Sequence, residues 1–295
     1  MKPRIAFLFS GQTRSNSLNP NYTVDNIILD SYKQFLFTEE FETRYDYDVF
    51  FSVDSIDIDL ARNFFGDHLK NIHITESGFL LHEIVTDLSS YDTYLSDYRE
   101  RTKYLPGYCN YEISTYQYYR LRCAFMLMKS ENIHYDYIVR IRPDMRIIKN
   151  MIIMLNEIES SDLKIITEHE QICIMKPELE DLCRIIEFYG TYIEDMNLKK
   201  EIYRHLTYSP ELIGYHGDNA LLCLCPEKQI LDHIYYIFKL KKFDFSKSFR
   251  GILYPQYNVI YRGNGKYGYT DMKFDDYTSI TNASPNCAAE GVARY

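Results

Sequence analysis

Arg4 to Ser10 reads RIAFLFS, a run with a charge only at its start. A strand with one wet face alternates polar and apolar residues. An uninterrupted apolar run of this length reads instead as a strand covered on both faces, as in the middle of a largely parallel sheet. The run gives way to the loop Gly11-Gln12-Thr13-Arg14-Ser15. A helical pattern follows at about 23–37, and a second strand at Tyr47–Val53 stops at Asp54. A helix around 58–69 leads into a third short strand, Ile72-His73-Ile74. Strand-then-helix order repeated in this way predicts an α/β, Rossmann-like fold, a central and largely parallel sheet flanked by helices.

The stretch 78–108, rich in Tyr, Asp and Ser, reads as loop or short helices above the sheet. A long helix starts near Asn110, an N-cap type, and runs to about Glu131. Along it Ile113, Tyr116, Arg120, Cys123 and Leu127 form one stripe and Tyr118, Leu121, Phe125 and Met128 another, so it is a packed helix. The chain next reads YDYIVRIRPDMRI over residues 135–147. Ile138, Val139 and Ile141 mark a strand that Pro143 stops, because proline has no N–H for an interior ladder rung. Asp144 therefore stands at a strand's carboxyl end, where it is expected as an exposed acid. Further strands are predicted at Leu163–Thr167, Ile172–Met175 and Asn258–Tyr261. Helices are predicted from Pro177 to about Tyr192, near 197–206 and at about 226–240. Residues 1–262 read as one catalytic domain and 263–295, dominated by small and polar residues, as a loop-rich tail or flap.

The 295 residues, 46% of them apolar, suffice for one large core. The net charge of -9 speaks against a nucleic-acid partner, which would call for clustered Lys and Arg. Seven cysteines, an odd number with no C-x-x-C pair, read as reduced and largely buried thiols, not a zinc site. Cys223-x-Cys225 is likewise read as packing. With no run of about 18 apolar residues there is no transmembrane segment, and without a signal-peptide pattern the expected location is cytoplasmic. The 29 Tyr and 17 Phe offer surfaces for stacking sugars or nucleotides, although codon bias alone accounts for such a composition.

In an open α/β sheet, ligands bind at the carboxyl ends of the strands where strand order reverses. Residues 10–15, Asp54, Glu76 and 142–144 all fall at strand ends. Arg142 with Asp144 is the sharpest pair: a guanidinium forks onto phosphate oxygens, and a carboxylate holds a divalent cation bridging the same diphosphate. Arg142 is expected to contact that diphosphate and not a protein carboxylate. An Arg–Asp pair in a turn is the plain structural alternative. Late in the chain, His216-Gly217-Asp218-Asn219 supplies a carboxylate on a turn, with Glu211 its rival. Asp218 could equally cap the helix that follows.

These residues carry a resemblance. YDYIVRIRPDMRI, preceded by a helix bearing Gln117 and an N-terminal strand ending in SGQTR, resembles GT-A-type glycosyltransferases in which an R-x-R-P-D strand replaces D-x-D. The later ICIMKPELEDL is similar to the region after that motif, and the likeness covers roughly residues 4–225. The resemblance implies transfer of a sugar from a nucleoside diphosphate-sugar donor to a glycan or glycoconjugate hydroxyl. It places Ser10, Gly11, Arg14, Asp54, Gln117, Arg140 and Arg142 on the donor, Asp144 on Mn²⁺ or Mg²⁺, and Asp218 or Glu211 as the base. Arg142 stands where D-x-D has its other acid, which puts metal dependence in question. The loop at residues 11–17 also faintly resembles the phosphosulfate loop of sulfotransferases, and an inactive nucleotide- or glycan-binding module is a third reading.

Overall fold

The structure is a computed structural model that describes residues 2–13, 16–21, 26–75, 111–168, 171–188, 226–252, 258–263 and 266–267. Strand β1 (Arg4–Gly11) lies inside a seven-stranded sheet, hydrogen-bonded on one side to β2 (Asp46–Val53) and on the other to β4 (Tyr137–Ile141). Beyond β2 lies β3 (Leu69–Ile74); beyond β4 come β7 (Ile172–Met175), β6 (Ile165–Glu168) and β8 (Phe249–Ile252). Every pairing is parallel except the two made by β7. The fold is thus the mixed, largely parallel α/β sheet that the apolar run RIAFLFS predicts.

Burial on both faces follows from the two-residue repeat of a strand. Ile5, Phe7 and Phe9 of β1 join Val49, Phe51 and Val53 of β2 in one core, with Phe9 stacked on Phe51 at 4.8 Å between ring centres. Helices α1 (Ile27–Phe35), α2 (Glu39–Arg44), α3 (Ile58–Phe65) and α5 (Ile152–Glu159) supply the residues that close this face. Ala6 and Leu8 point the other way, into a second core with Phe50, the long helix α4 (Tyr111–Ser130) and α6 (Pro226–Lys241). Thr38 and Asp57 cap α2 and α3 by accepting from Phe41 N and Leu60 N, which the amino-terminal orphan N–H groups of a helix require.

A short 3₁₀ turn, Gly66–His68, finishes the region predicted as helix 58–69. Pro177 does open a helical segment, but it is 3₁₀ through Phe188 and breaks at Arg184 (φ −111°, ψ 22°). Helix α7 (Phe245–Ser248) precedes β8. A separate three-stranded sheet joins β5 (Met145–Ile147), β9 (Asn258–Gly263) and β10 (Lys266–Tyr267), all antiparallel. Among the described residues, no helix is long and apolar enough to cross a membrane. Cys173 and Cys183 are buried free thiols, and burial pushes the Cys173 thiol up to about 12. The predicted helix at 197–206 lies outside the described residues.

Candidate functional site

The strand order β3-β2-β1-β4 contains its own reversal point. The chain travels outward from β1 through β2 to β3, then returns to place β4 on the opposite side of β1. In a sheet of this kind, ligands bind outside the carboxyl ends of the strands that flank such a reversal point, here β1 and β4. Gly11 ends β1 there, and residues 142–144 follow β4.

Gly11 has φ 138°, a backbone geometry that favours glycine, and a Cβ at this position would lie 3.4 Å from Pro143 Cδ and 3.9 Å from Arg142 Cγ. The turn is braced from several sides. Arg142 N donates to Gln171 O at 3.0 Å and Met145 N to Arg142 O at 3.3 Å. Asn16 Nδ2 donates to Pro143 O at 2.8 Å, tying the loop after β1 to the turn after β4. From α1, Ser31 Oγ accepts from Ile147 N at 3.0 Å.

Within the turn, Arg142 holds Asp144 with two parallel hydrogen bonds, Nε to Oδ1 at 3.1 Å and Nη2 to Oδ2 at 2.9 Å. Asp144 has no exposed surface and Arg142 very little. Two sequence expectations are corrected here. Asp144 is not an exposed strand-end acid, and the guanidinium that was to leave protein carboxylates alone is on one. The reason is burial: a carboxylate withdrawn from water inside the turn needs a cation and donors at once, and Arg142 two residues away supplies both. Burial, and then the charge of Asp144, pushes the Tyr32 phenol far above its ordinary range, so Tyr32 stands beside the pair as a neutral hydroxyl.

Of the other predicted donor-site residues, Ser10 and Arg140 meet on adjacent strands, Arg140 Nε donating to Ser10 Oγ at 3.5 Å. Both are buried. Asp54, past the end of β2, accepts from Thr13 N at 2.8 Å and from Thr13 Oγ1 at 3.1 Å, which fastens the loop after β1 over the sheet. Gln117 is buried on α4. Ser10, Gly11, Asp54, Arg140, Arg142 and Asp144 are thus gathered along one edge of the sheet. Arg14, Glu76, Glu211, His216 and Asp218 lie outside the described residues.

The donor set also bears on a metal. Both oxygens of Asp144 are accepting from Arg142, and among the described residues no group of three His, Cys, Asp or Glu side chains is placed to hold an ion. In this arrangement Asp144 does not fit Mn²⁺ or Mg²⁺ unless Arg142 lets go of it.

A further polar row under α4 was not read from the sequence as a site. Ser52 Oγ lies 3.1 Å and Thr75 Oγ1 3.4 Å from His73 Nδ1, and Arg120 Nη2 donates to Thr75 O at 3.1 Å. Burial, then the neighbouring Arg120 charge, lowers the pKa of His73, which favours the neutral imidazole. The signal was present in the sequence: Arg120 is the single charged residue in the stripe Ile113, Tyr116, Arg120, Cys123, Leu127.

No family model matches this chain, and no curated protein matches it. Among solved structures it is similar to mouse xyloside xylosyltransferase 1 in its apo form, at 10% identity over 85% of each chain and a TM-score of 0.36. It is also similar to a cytidylyltransferase from Leptospira borgpetersenii serovar Hardjo-bovis, at 12% identity over 96% of each chain and a TM-score of 0.35. The reading of the site rests on its own geometry.

Proposed function

We propose that the chain is a glycosyltransferase, moving a sugar from a nucleoside diphosphate-sugar donor to a hydroxyl of a glycan or glycoconjugate. The observation that carries the reading is the meeting, at the reversal point of the sheet, of Gly11 at the end of β1 with Arg142, Pro143 and Asp144 after β4. A diphosphate laid over these strand ends would have Arg140 and Arg142 close by.

In the transfer the acceptor oxygen bonds to the anomeric carbon while the bond from that carbon to the β-phosphate oxygen breaks. The electron pair leaves with the nucleoside diphosphate. Fixed cationic donors aimed at a departing oxyanion are a principal source of rate, because they need no rearrangement as charge develops. Arg142 is held rigidly by Asp144 and suits that task. Asp144 on this reading is a positioning residue. In an inverting reaction the acceptor proton goes to a carboxylate, with Asp218 proposed ahead of Glu211.

The test is product release. The enzyme is incubated with a panel of uridine, guanosine and cytidine diphosphate-sugars, with and without oligosaccharide acceptors, and free nucleoside diphosphate is measured. Acceptor-stimulated release from one donor class is expected. No release from any of them counts against transfer, and turnover of adenosine 3′-phosphate 5′-phosphosulfate in its place would move the protein to the sulfotransferases.

A further inference from the structure

Arg120 lies on the sheet-facing side of α4, with only 6% of its surface exposed. Its Nη2 donates to the Thr75 carbonyl at 3.1 Å, and its buried Nε has no hydrogen-bond partner. Among the described residues no carboxylate lies within 4.0 Å of it; Asp54 acts on it only as a more distant charge. One helical turn away, Gln117 is 8% exposed and its buried Nε2 also has no partner. Residues three apart on a helix share a face, so two buried donors, one of them cationic, are presented together. A buried guanidinium without a close counter-charge costs several kcal/mol and is a poor device for stability. It is the device expected where a ligand brings the charge.

We infer that Arg120 and Gln117 form a second oxyanion site, taking a carboxylate or a phosphate at the carboxyl ends of β2 and β3. Its neighbours agree with an anion. His73, Ser52 and Thr75 add hydroxyl and imidazole groups, and Asp54, the acid whose charge reaches Arg120, spends Oδ1 on Thr13 N and Ser55 N. The site is set apart from the strand-end site proposed at Arg142. From β4 to β2 there are two strand spacings and to β3 three, about 10 and 14 Å. A ligand acidic at both ends could span the two, or two ligands could occupy them. The inference does not depend on glycosyl transfer, and failure of every nucleotide-sugar would leave it standing.

The experiment follows the side-chain Nε–H of Arg120 and the side-chain amide of Gln117 by ¹H–¹⁵N NMR in the full chain. Inorganic phosphate and acetate are titrated separately at constant ionic strength set by chloride. Arg120→Met assigns the arginine signal and Gln117→Leu the amide. A saturable shift of both signals is expected, with phosphate, acetate or both, and at least a tenfold weaker response in Arg120→Met of the signal that remains. A response to phosphate alone names a phosphate-bearing ligand, and one to acetate a carboxylate. Melting temperature separates a binding role from a structural one. Arg120→Met, which removes an uncompensated buried charge, should melt no lower than wild type and should lose the stabilisation that the anion confers. No saturable shift with either anion would overturn the inference. So would a lower melting temperature in Arg120→Met with the anion effect intact.

Discussion

Arg142 and Asp144 form a closed, two-bond ion pair inside a turn, 2.9 and 3.1 Å between partner atoms, with the carboxylate wholly out of water. The pair lies where β4 ends and the second sheet begins with β5, so it braces the turn between the two sheets.

Asp144→Asn leaves the Arg142 charge buried without its counter-ion, and removing one member of such a pair typically costs about 3–5 kcal/mol. The urea midpoint should fall accordingly. Replacing both residues by apolar ones of similar size, Arg142→Met with Asp144→Leu, should recover most of that loss while nucleotide binding stays lost. If Asp144→Asn unfolds at the wild-type midpoint, the pair is not structural.

Gly11→Ala places a Cβ 3.4 Å from Pro143 Cδ and holds a non-glycine residue at φ 138°. Strain of this kind costs about 1–3 kcal/mol and should be seen both as a lower melting temperature and as weaker nucleotide binding. Gly66→Ala is the control. Its φ of 55° is strained too, but nothing lies within 4 Å of the new methyl, and Gly66 is far along the chain from Gly11 and Arg142, after α3. Binding in that variant should be unchanged at whatever stability remains.

His233 packs against Phe188 and Tyr236, with Nε2 donating to Asp181 O at 3.1 Å. Burial lowers its pKa from 6.5 to about 4, and the bond to Asp181 only partly opposes this. The folded value is below the unfolded one. Above pH 6.5 both states are neutral at this ring and nothing is lost; as pH falls from 6.5 to about 4, only the unfolded chain takes the proton and stability declines. The loss attributable to this residue is roughly 3 kcal/mol at most. Urea unfolding across that window should show a shallower decline in His233→Gln than in wild type. Equal slopes would mean that His233 titrates normally.

Much of the frame was legible because RIAFLFS, YIVRI and ICIM are apolar runs whose surroundings leave one assignment. Pro143 marked the end of β4 for a reason that holds at any position, its missing N–H. Helices α2 and α5 were not read. EEFETR has only Phe41 to bury, and 152–159 is so evenly apolar that it shows little face. The site was legible as a set of residue types at strand ends, since strand ends are where such residues converge. Their pairing was not. Whether Arg142 turns to Asp144 or to a ligand depends on how deeply the turn is buried, and burial of a loop is fixed by distant residues such as Asn16, Ser31 and Gln171. Arg120 was hidden differently, as one member of a stripe read for packing.

The measurement that tests the central claim most directly is nucleoside diphosphate binding by calorimetry and thermal shift, in wild type and in Arg142→Lys. Uridine, guanosine and cytidine diphosphates and adenosine 3′,5′-diphosphate are compared, each in EDTA and in Mn²⁺. A diphosphate at 100 times its Kd should stabilise wild type by about 2.7 kcal/mol. Lysine keeps the charge but loses the fork that grips Asp144 and that would grip phosphate, so Arg142→Lys should bind at least tenfold more weakly. Stabilisation of the wild type by one nucleoside diphosphate, diminished in Arg142→Lys, is the predicted result. No stabilisation by any of the three nucleoside diphosphates in either buffer, whether or not adenosine 3′,5′-diphosphate stabilises, or equal affinity in the two proteins, would contradict the assignment of these strand ends to a nucleoside diphosphate-sugar.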